Sequence, residues 1–116
     1  MNIQKQKQMW SGMARYVIWT DGASVQIELY DTPQKWGKTA FIYSLWVDEY
    51  CRRQGKAAAL LDEAERIVKQ AGHKTAVMEW EYKNTPRAIL DYYFRRGYEE
   101  IIFDDKGEYC VVEKTF

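Results

Sequence analysis

The amino-acid sequence predicts an α/β (α+β) domain on a mixed sheet, with its elements in the order β-β-β-α-β-α-β-β. Three observations carry the prediction. Short runs of β-branched and aromatic residues open the chain, one stretch then repeats with the period of a helix, and a strand-like run after it completes a strand, helix, strand unit.

Residues 1–12 (MNIQKQKQMWSG) are mainly polar and read as a flexible or loosely packed arm that Met9 and Trp10 could anchor, with residues 13–116 as one domain. Residues 14–20 and 25–30 are strands, joined by Asp21-Gly22, a dipeptide suited to a tight hairpin. A turn-rich stretch leads into residues 39–47 (TAFIYSLWV), apolar on both faces, which reads as a central strand covered on both sides. In residues 57–71, Leu60, Leu61, Ala64, Ile67, Val68 and Ala71 share one stripe, with Asp62, Glu63, Glu65, Arg66, Lys69 and Gln70 opposite. Gly72 supplies a left-handed stop. Residues 75–82 form the next strand, which a helical crossover places parallel to residues 39–47. Asn84 or Thr85 caps a second helix over about 86–96, with Pro86 in its first turn and Gly97 at its end. Residues 98–103 and 108–116 then make a terminal hairpin.

A chain of 116 residues, 47% hydrophobic and 16% aromatic, supports one core and one domain. Its 17 basic and 17 acidic residues cancel, so no global field draws it to nucleic acid or anionic lipid, and a charged ligand needs a local cluster. Cys51, Cys110 and the one histidine, His73, provide no metal-ligand set; reduced thiols point to a cytoplasmic protein. His73 reads as a surface residue favoured by the helix C-terminus beside it. No apolar run approaches a membrane span or a signal-peptide core.

The local cluster is Arg52-Arg53-Gln54-Gly55-Lys56-Ala57-Ala58, three cations within five residues, set between a strand and the most amphipathic helix. It contains no Ser, Thr, Asp or Asn to cap that helix. Unpaired N–H groups and the positive end of the helix dipole then point at one spot, where Gly55 lets a phosphate approach the backbone and the alanines keep the first turn slim. Spacing alone leaves two readings open, an anion site and a solvated basic loop capped by water.

The segment resembles the signature of the GNAT N-acetyltransferases, which is Arg or Gln, two residues, Gly, one residue, then Gly or Ala; Arg52, Gly55 and Ala57 match it in order. A second block of the family, an Asn followed by a helix with a Tyr and then Gly and an aromatic, is similar to Asn84, Tyr93, Gly97 and Tyr98. The resemblance covers about residues 39–99. It departs at Lys56, where an apolar residue is commoner, in a longer gap between Asn84 and Tyr93, and in an initial strand and helix pair that the sequence lacks.

The resemblance implies acetyl-CoA as donor, an amine acceptor, and a central parallel strand pair splayed for the cofactor. Pantetheine would pair with main chain near Leu45, Trp46 and Val47, whose N–H groups could also serve the oxyanion. The loop Arg52–Ala58 would hold the pyrophosphate, with Asn84 near the cofactor. Direct transfer needs an acid for the departing thiolate and a base for the amine. The resemblance gives Tyr93 as the acid, with Tyr92 as fallback. Glu79 and Glu81, on one side of a strand whose other side is Met78, Trp80 and Tyr82, are the candidates for the base; Glu28 ranks below them. The plain alternatives are packing for the tyrosines and solvated or paired carboxylates for the glutamates. Cys51 reads as a small apolar residue rather than a nucleophile, because no histidine lies near it in sequence.

Two other classes compete. One is a non-catalytic acyl-CoA-binding sensor or protein-interaction domain of the same fold. The other is a nucleic-acid-binding domain, which zero net charge disfavours. Trp10, Trp19 and Trp36 would leave apolar surface that pairing as a homodimer could cover.

Overall fold

In the computed structural model, which describes residues 1–116, the chain runs β1 (Gln4–Trp10), β2 (Met13–Thr20), β3 (Ala23–Tyr30), β4 (Ala40–Val47), α1 (Lys56–Gln70), β5 (Thr75–Glu81), α2 (Arg87–Arg95), β6 (Glu99–Phe103) and β7 (Tyr109–Thr115). The strands form one seven-stranded sheet in the order β1-β2-β3-β4-β5-β7-β6. All neighbours are antiparallel except β4 and β5, which are parallel. Both helices pack on one face, because right-handed crossovers from β4 to β5 and onward lay them on the same side.

The helix-facing side of the sheet supplies the core. Val25, Ile27 and Leu29 of β3 are buried at alternate positions, and Ile18, Ile42, Met78, Trp80, Cys110 and Val112 join them against Leu60, Leu61, Ala64, Ile67 and Val68 of α1 and Leu90 and Tyr93 of α2. Asp21-Gly22 makes the expected hairpin. Gly22 is required there twice over: its φ is +74°, and a Cβ would collide with Cys51 Sγ.

Three sequence expectations are corrected by the chain's own packing. Residues 1–12 contain β1, paired along its length with β2 through a Ser11-Gly12 turn and exposed at every position. Its QKQKQ pattern has no apolar face and so gives no strand signal, while its lysines suit an open sheet edge. An initial strand is therefore present, and no helix pair separates it from β2. Glu65, expected on the solvent face of α1, is buried. Pro86 rather than Asn84 or Thr85 is the N-cap of α2, and its carbonyl accepts from Trp80 Nε1 at 3.1 Å.

The fourth difference concerns β4. Its apolar residues do not signal cover on two sides; the strand changes phase. Ala40 and Ile42 face the helices, the register with β3 shifts between Ser24 and Gln26, and Ser44 takes φ +55°. Beyond this bulge Leu45 and Val47 pack on the core while Trp46 turns outward, 54% exposed. Past the bulge β4 also leaves β5, since the two strands share a single register pair, Phe41 with Val77.

Candidate active site

Beyond Phe41, where β4 shares its one register pair with β5, the chain runs to the end of β4 and on through a loop into α1. Asp48 caps a short 3-10 turn, Glu49–Cys51, by accepting from Tyr50 N–H at 2.9 Å, and Asp48 N–H bonds Gly22 O at 2.6 Å, which ties the loop to the β2–β3 hairpin. The chain then bends through Arg53 (φ +64°) and Gly55 (φ +74°) into the helix. Gly55 is the N-cap, no side chain caps the helix, and Ala59 is the first residue of this turn whose N–H returns to the chain, to Gly55 O at 3.0 Å. A Cβ at Gly55 would meet nothing within 4 Å. The first-turn donors thus face open space with the helix dipole behind them.

The side chains of the loop divide. Arg53 is exposed and unengaged. Arg52 Nε reaches Val47 O and Gln54 Nε2 reaches Tyr50 O, both at 3.4 Å, which is long for a hydrogen bond and leaves both groups easily redirected. Lys56 behaves differently, because its ammonium bonds the Asp21 carbonyl and so clamps the hairpin. Ala57 and Ala58 are half-buried with no polar side chain in the way. Asn84 closes the turn after β5, its Nδ2 donating to Glu81 Oε2 at 3.1 Å.

Tyr93 is 6% exposed, packs beside Tyr98 and Tyr92 with centroids 6.2 and 6.3 Å away, and donates no hydrogen bond. Burial, with Tyr92 adding to it, pushes its phenol up to about 12, so it holds its proton at neutral pH. Tyr92 is half-buried beside it.

Glu79 and Glu81 do share the helix-free side of β5, and they open into different clefts. Glu79 lines a cavity of about 410 Å³ with Glu28, Trp36, Phe41 and Tyr43. It accepts from Tyr109 Oη at 3.2 Å and pairs with Lys35 at 3.5 Å. Glu81 lines a separate cleft of about 470 Å³ with Asp104 and Glu108, and is held by Asn84. Glu28 is fully engaged, accepting from Tyr30 Oη at 2.9 Å, Tyr43 Oη at 3.0 Å and Arg15 at 3.3 Å. Burial and the Glu28 carboxylate push Tyr43 up to about 12, and the same two causes raise Tyr30. Sequence reasoning missed Lys35, Trp36 and Tyr43; an aromatic beside a lysine inside a turn-rich stretch was the one signal available.

No curated protein matches the chain. Solved structures do. An acetyltransferase from Bacillus cereus is 21% identical with a TM-score of 0.66, over 98% of this chain and 74% of that one. The PaiA N-acetyltransferase of Thermoplasma acidophilum, solved in complex with coenzyme A, is 19% identical with a TM-score of 0.63, over 90% of this chain and 62% of that one. A GNAT-family acetyltransferase from Staphylococcus aureus gives 14% and 0.68, over 90% and 68%. These likenesses show the fold. The sequence pattern of the acetyltransferase (GNAT) family matches residues 6–98, a span that holds the uncapped loop, the splayed strand pair and Tyr93. The chain belongs to the GNAT acetyltransferase family.

Proposed function

We propose that the protein is an N-acetyltransferase that moves the acetyl group of acetyl-CoA to a primary amine by direct transfer. One observation carries this reading: the first turn of α1 is uncapped, and β4, the strand that leads into it, shares only one register pair with β5. An anion at the first supplies the acceptor those donors lack, and an extended amide-bearing arm at the second supplies β4 with a partner. The PaiA structure, which holds coenzyme A on the same fold, supports the same reading.

Each group then has one task. The N–H groups of Gly55–Ala58, with Arg52, Arg53 and Gln54, hold the pyrophosphate; Lys56 keeps the hairpin in place behind them. Main chain at Leu45–Val47 pairs with pantetheine and offers N–H to the oxyanion. The incoming nitrogen forms its bond to the acetyl carbon as the carbon–sulfur bond breaks. Tyr93, proton in hand, supplies the thiolate. Glu79, less engaged than Glu28 and opening into the cavity lined by Trp36, Phe41 and Tyr43, takes the ammonium proton directly or through water.

Gly55→Val tests the loop. The replacement strains a left-handed residue by about 1–2 kcal/mol without meeting a neighbour, so the fold persists, and its methyls enter the space the phosphates would use. Coenzyme A affinity measured by calorimetry should be lost in a protein whose circular dichroism is unchanged. Retained affinity would show that the pyrophosphate lies elsewhere.

A further inference from the structure

The cavity on the helix-free face has an unusual wall. Trp36 sits in the turn between β3 and β4 at φ +57°, ψ +19°, a conformation that bulky residues seldom take. Three short-range bonds hold the turn: Gln34 N–H to Lys38 O at 2.8 Å, Gly37 N–H to Gln34 O at 3.0 Å and Lys38 N–H to Lys35 O at 3.1 Å. The result is an indole tilted against Phe41, centroids 6.3 Å apart, over a space that the sheet alone would leave open. Phe41 in turn meets Tyr30 edge-on at 5.8 Å. Three aromatic rings therefore line one side, and the Glu79 carboxylate stands on the other.

The protein already shows what this arrangement binds. Lys35 Nζ lies 4.5 Å from the Trp36 ring centroid and 3.5 Å from Glu79 Oε1, so an alkylammonium of the chain itself occupies the seat between ring and carboxylate. It does so loosely. The Lys35 side chain is 62% exposed and that of Glu79 41%, so the lysine can swing into solvent without unpacking anything. Ring face and carboxylate together favour a cation, and the cation present is a primary ammonium on a straight alkyl stem. Glu28 adds no second free carboxylate, because Tyr30, Tyr43 and Arg15 donate to both its oxygens, and it in turn fixes the two phenol hydroxyls.

We propose that this cavity is the acceptor subsite and that it takes a primary alkylammonium, with Lys35 holding the seat until the acceptor displaces it. The assignment rests on the acetyl-transfer reading above. A lysine side chain and a free alkyl diamine share the chemistry. The turn between β3 and β4 here supplies a wall on a face that no helix of the chain covers.

The test needs no turnover. The Trp36 indole N–H resonance, assigned by its loss in Trp36→Ala, is followed by NMR at pH 7 during titration with n-butylamine, and with n-butanol as the uncharged analogue. The amine should shift it saturably and the alcohol should not. Glu79→Gln should weaken the amine about tenfold, whereas Lys35→Met should strengthen it several-fold because the internal competitor is gone. A lysine acting only as a surface staple predicts the opposite for Lys35→Met. Acetyl-CoA affinity, measured separately in Lys35→Met and Trp36→Ala, should match that of the parent protein. If acetyl-CoA binds but the amine leaves Trp36 unmoved, or Lys35→Met weakens it, the acceptor assignment is overturned and the transfer reading stands. If acetyl-CoA does not bind, the transfer reading falls and the acceptor assignment falls with it. Parallel titrations with N-acetyl-lysine amide, whose side chain is free, and with 1,4-diaminobutane distinguish a peptide lysine from a diamine by which binds tighter.

Discussion

Tyr93 is placed where burial decides its chemistry. Raised to about 12, its phenol is a weak acid that never lacks its proton at working pH, so it can donate to a thiolate without limiting the rate on the alkaline side. The pH–rate profile should therefore show no falling limb from Tyr93 below about 12. Tyr93→Phe should lower kcat strongly and leave acetyl-CoA affinity alone; an unchanged kcat removes Tyr93 from the chemistry. The same shift has a consequence for stability. Folding favours the neutral phenol, so the contribution is fully present below the unfolded value near 10 and is lost as pH rises towards about 12. About two units correspond to roughly 2–3 kcal/mol. Urea unfolding at pH 8, 10 and 12 should show the parent protein losing that much more than Tyr93→Phe; parallel loss in both would place the ionisation elsewhere.

Glu65 shows what one buried carboxylate does between elements. From the middle of α1 it accepts from Tyr98 Oη at 2.9 Å, Arg96 at 3.0 Å and Lys114 at 2.9 Å, joining the helix to the end of α2 and to β7. Burial, then the Glu65 charge, raises the Tyr98 phenol well above its ordinary range, which keeps it a donor to this carboxylate. Removing the carboxylate leaves Arg96, only 13% exposed, with Asp62 alone. Glu65→Ala should thus cost about 3–5 kcal/mol, read from the urea midpoint, while Glu65→Gln keeps an acceptor for Tyr98 and should cost less. The sequence could not reveal this residue, because its three partners lie 31 to 49 positions away and a glutamate in a helix otherwise reads as solvated. The helices, the two hairpins and the loop at Arg52–Ala58 were legible for the opposite reason: their signals are local, a 3.6-residue stripe, Asp-Gly, and a missing cap. The bulge at Ser44 hid itself by making both phases of β4 apolar, and the cavity at Trp36 and Glu79 exists only once cross-strand register brings β3, β4 and β5 together.

At the scale of the molecule the sheet is two sheets nearly parted. β1–β4 and β5–β7 meet at one register pair, and α1 lies across β2, β3, β4 and β5. A ligand that bonds β4 from within the opening and also completes the first turn of α1 fastens both halves to the element that bridges them. Coenzyme A at about a hundred times its Kd should therefore add about 2.7 kcal/mol, which at about 2.1 cal/mol/K per residue raises Tm by about 10 °C. The geometry makes a sharper demand than a shift alone. A 3′-phosphoadenosine diphosphate fragment reaches the α1 turn but not the opening, so it should slow hydrogen exchange in Gly55–Ala58 and leave the β4 amides that face β5 unprotected. Coenzyme A should protect both. Equal protection of Leu45–Val47 by fragment and whole cofactor would mean that the pantetheine arm does not lie between the strands, and the two halves of the sheet would then need some other reason to diverge after Phe41.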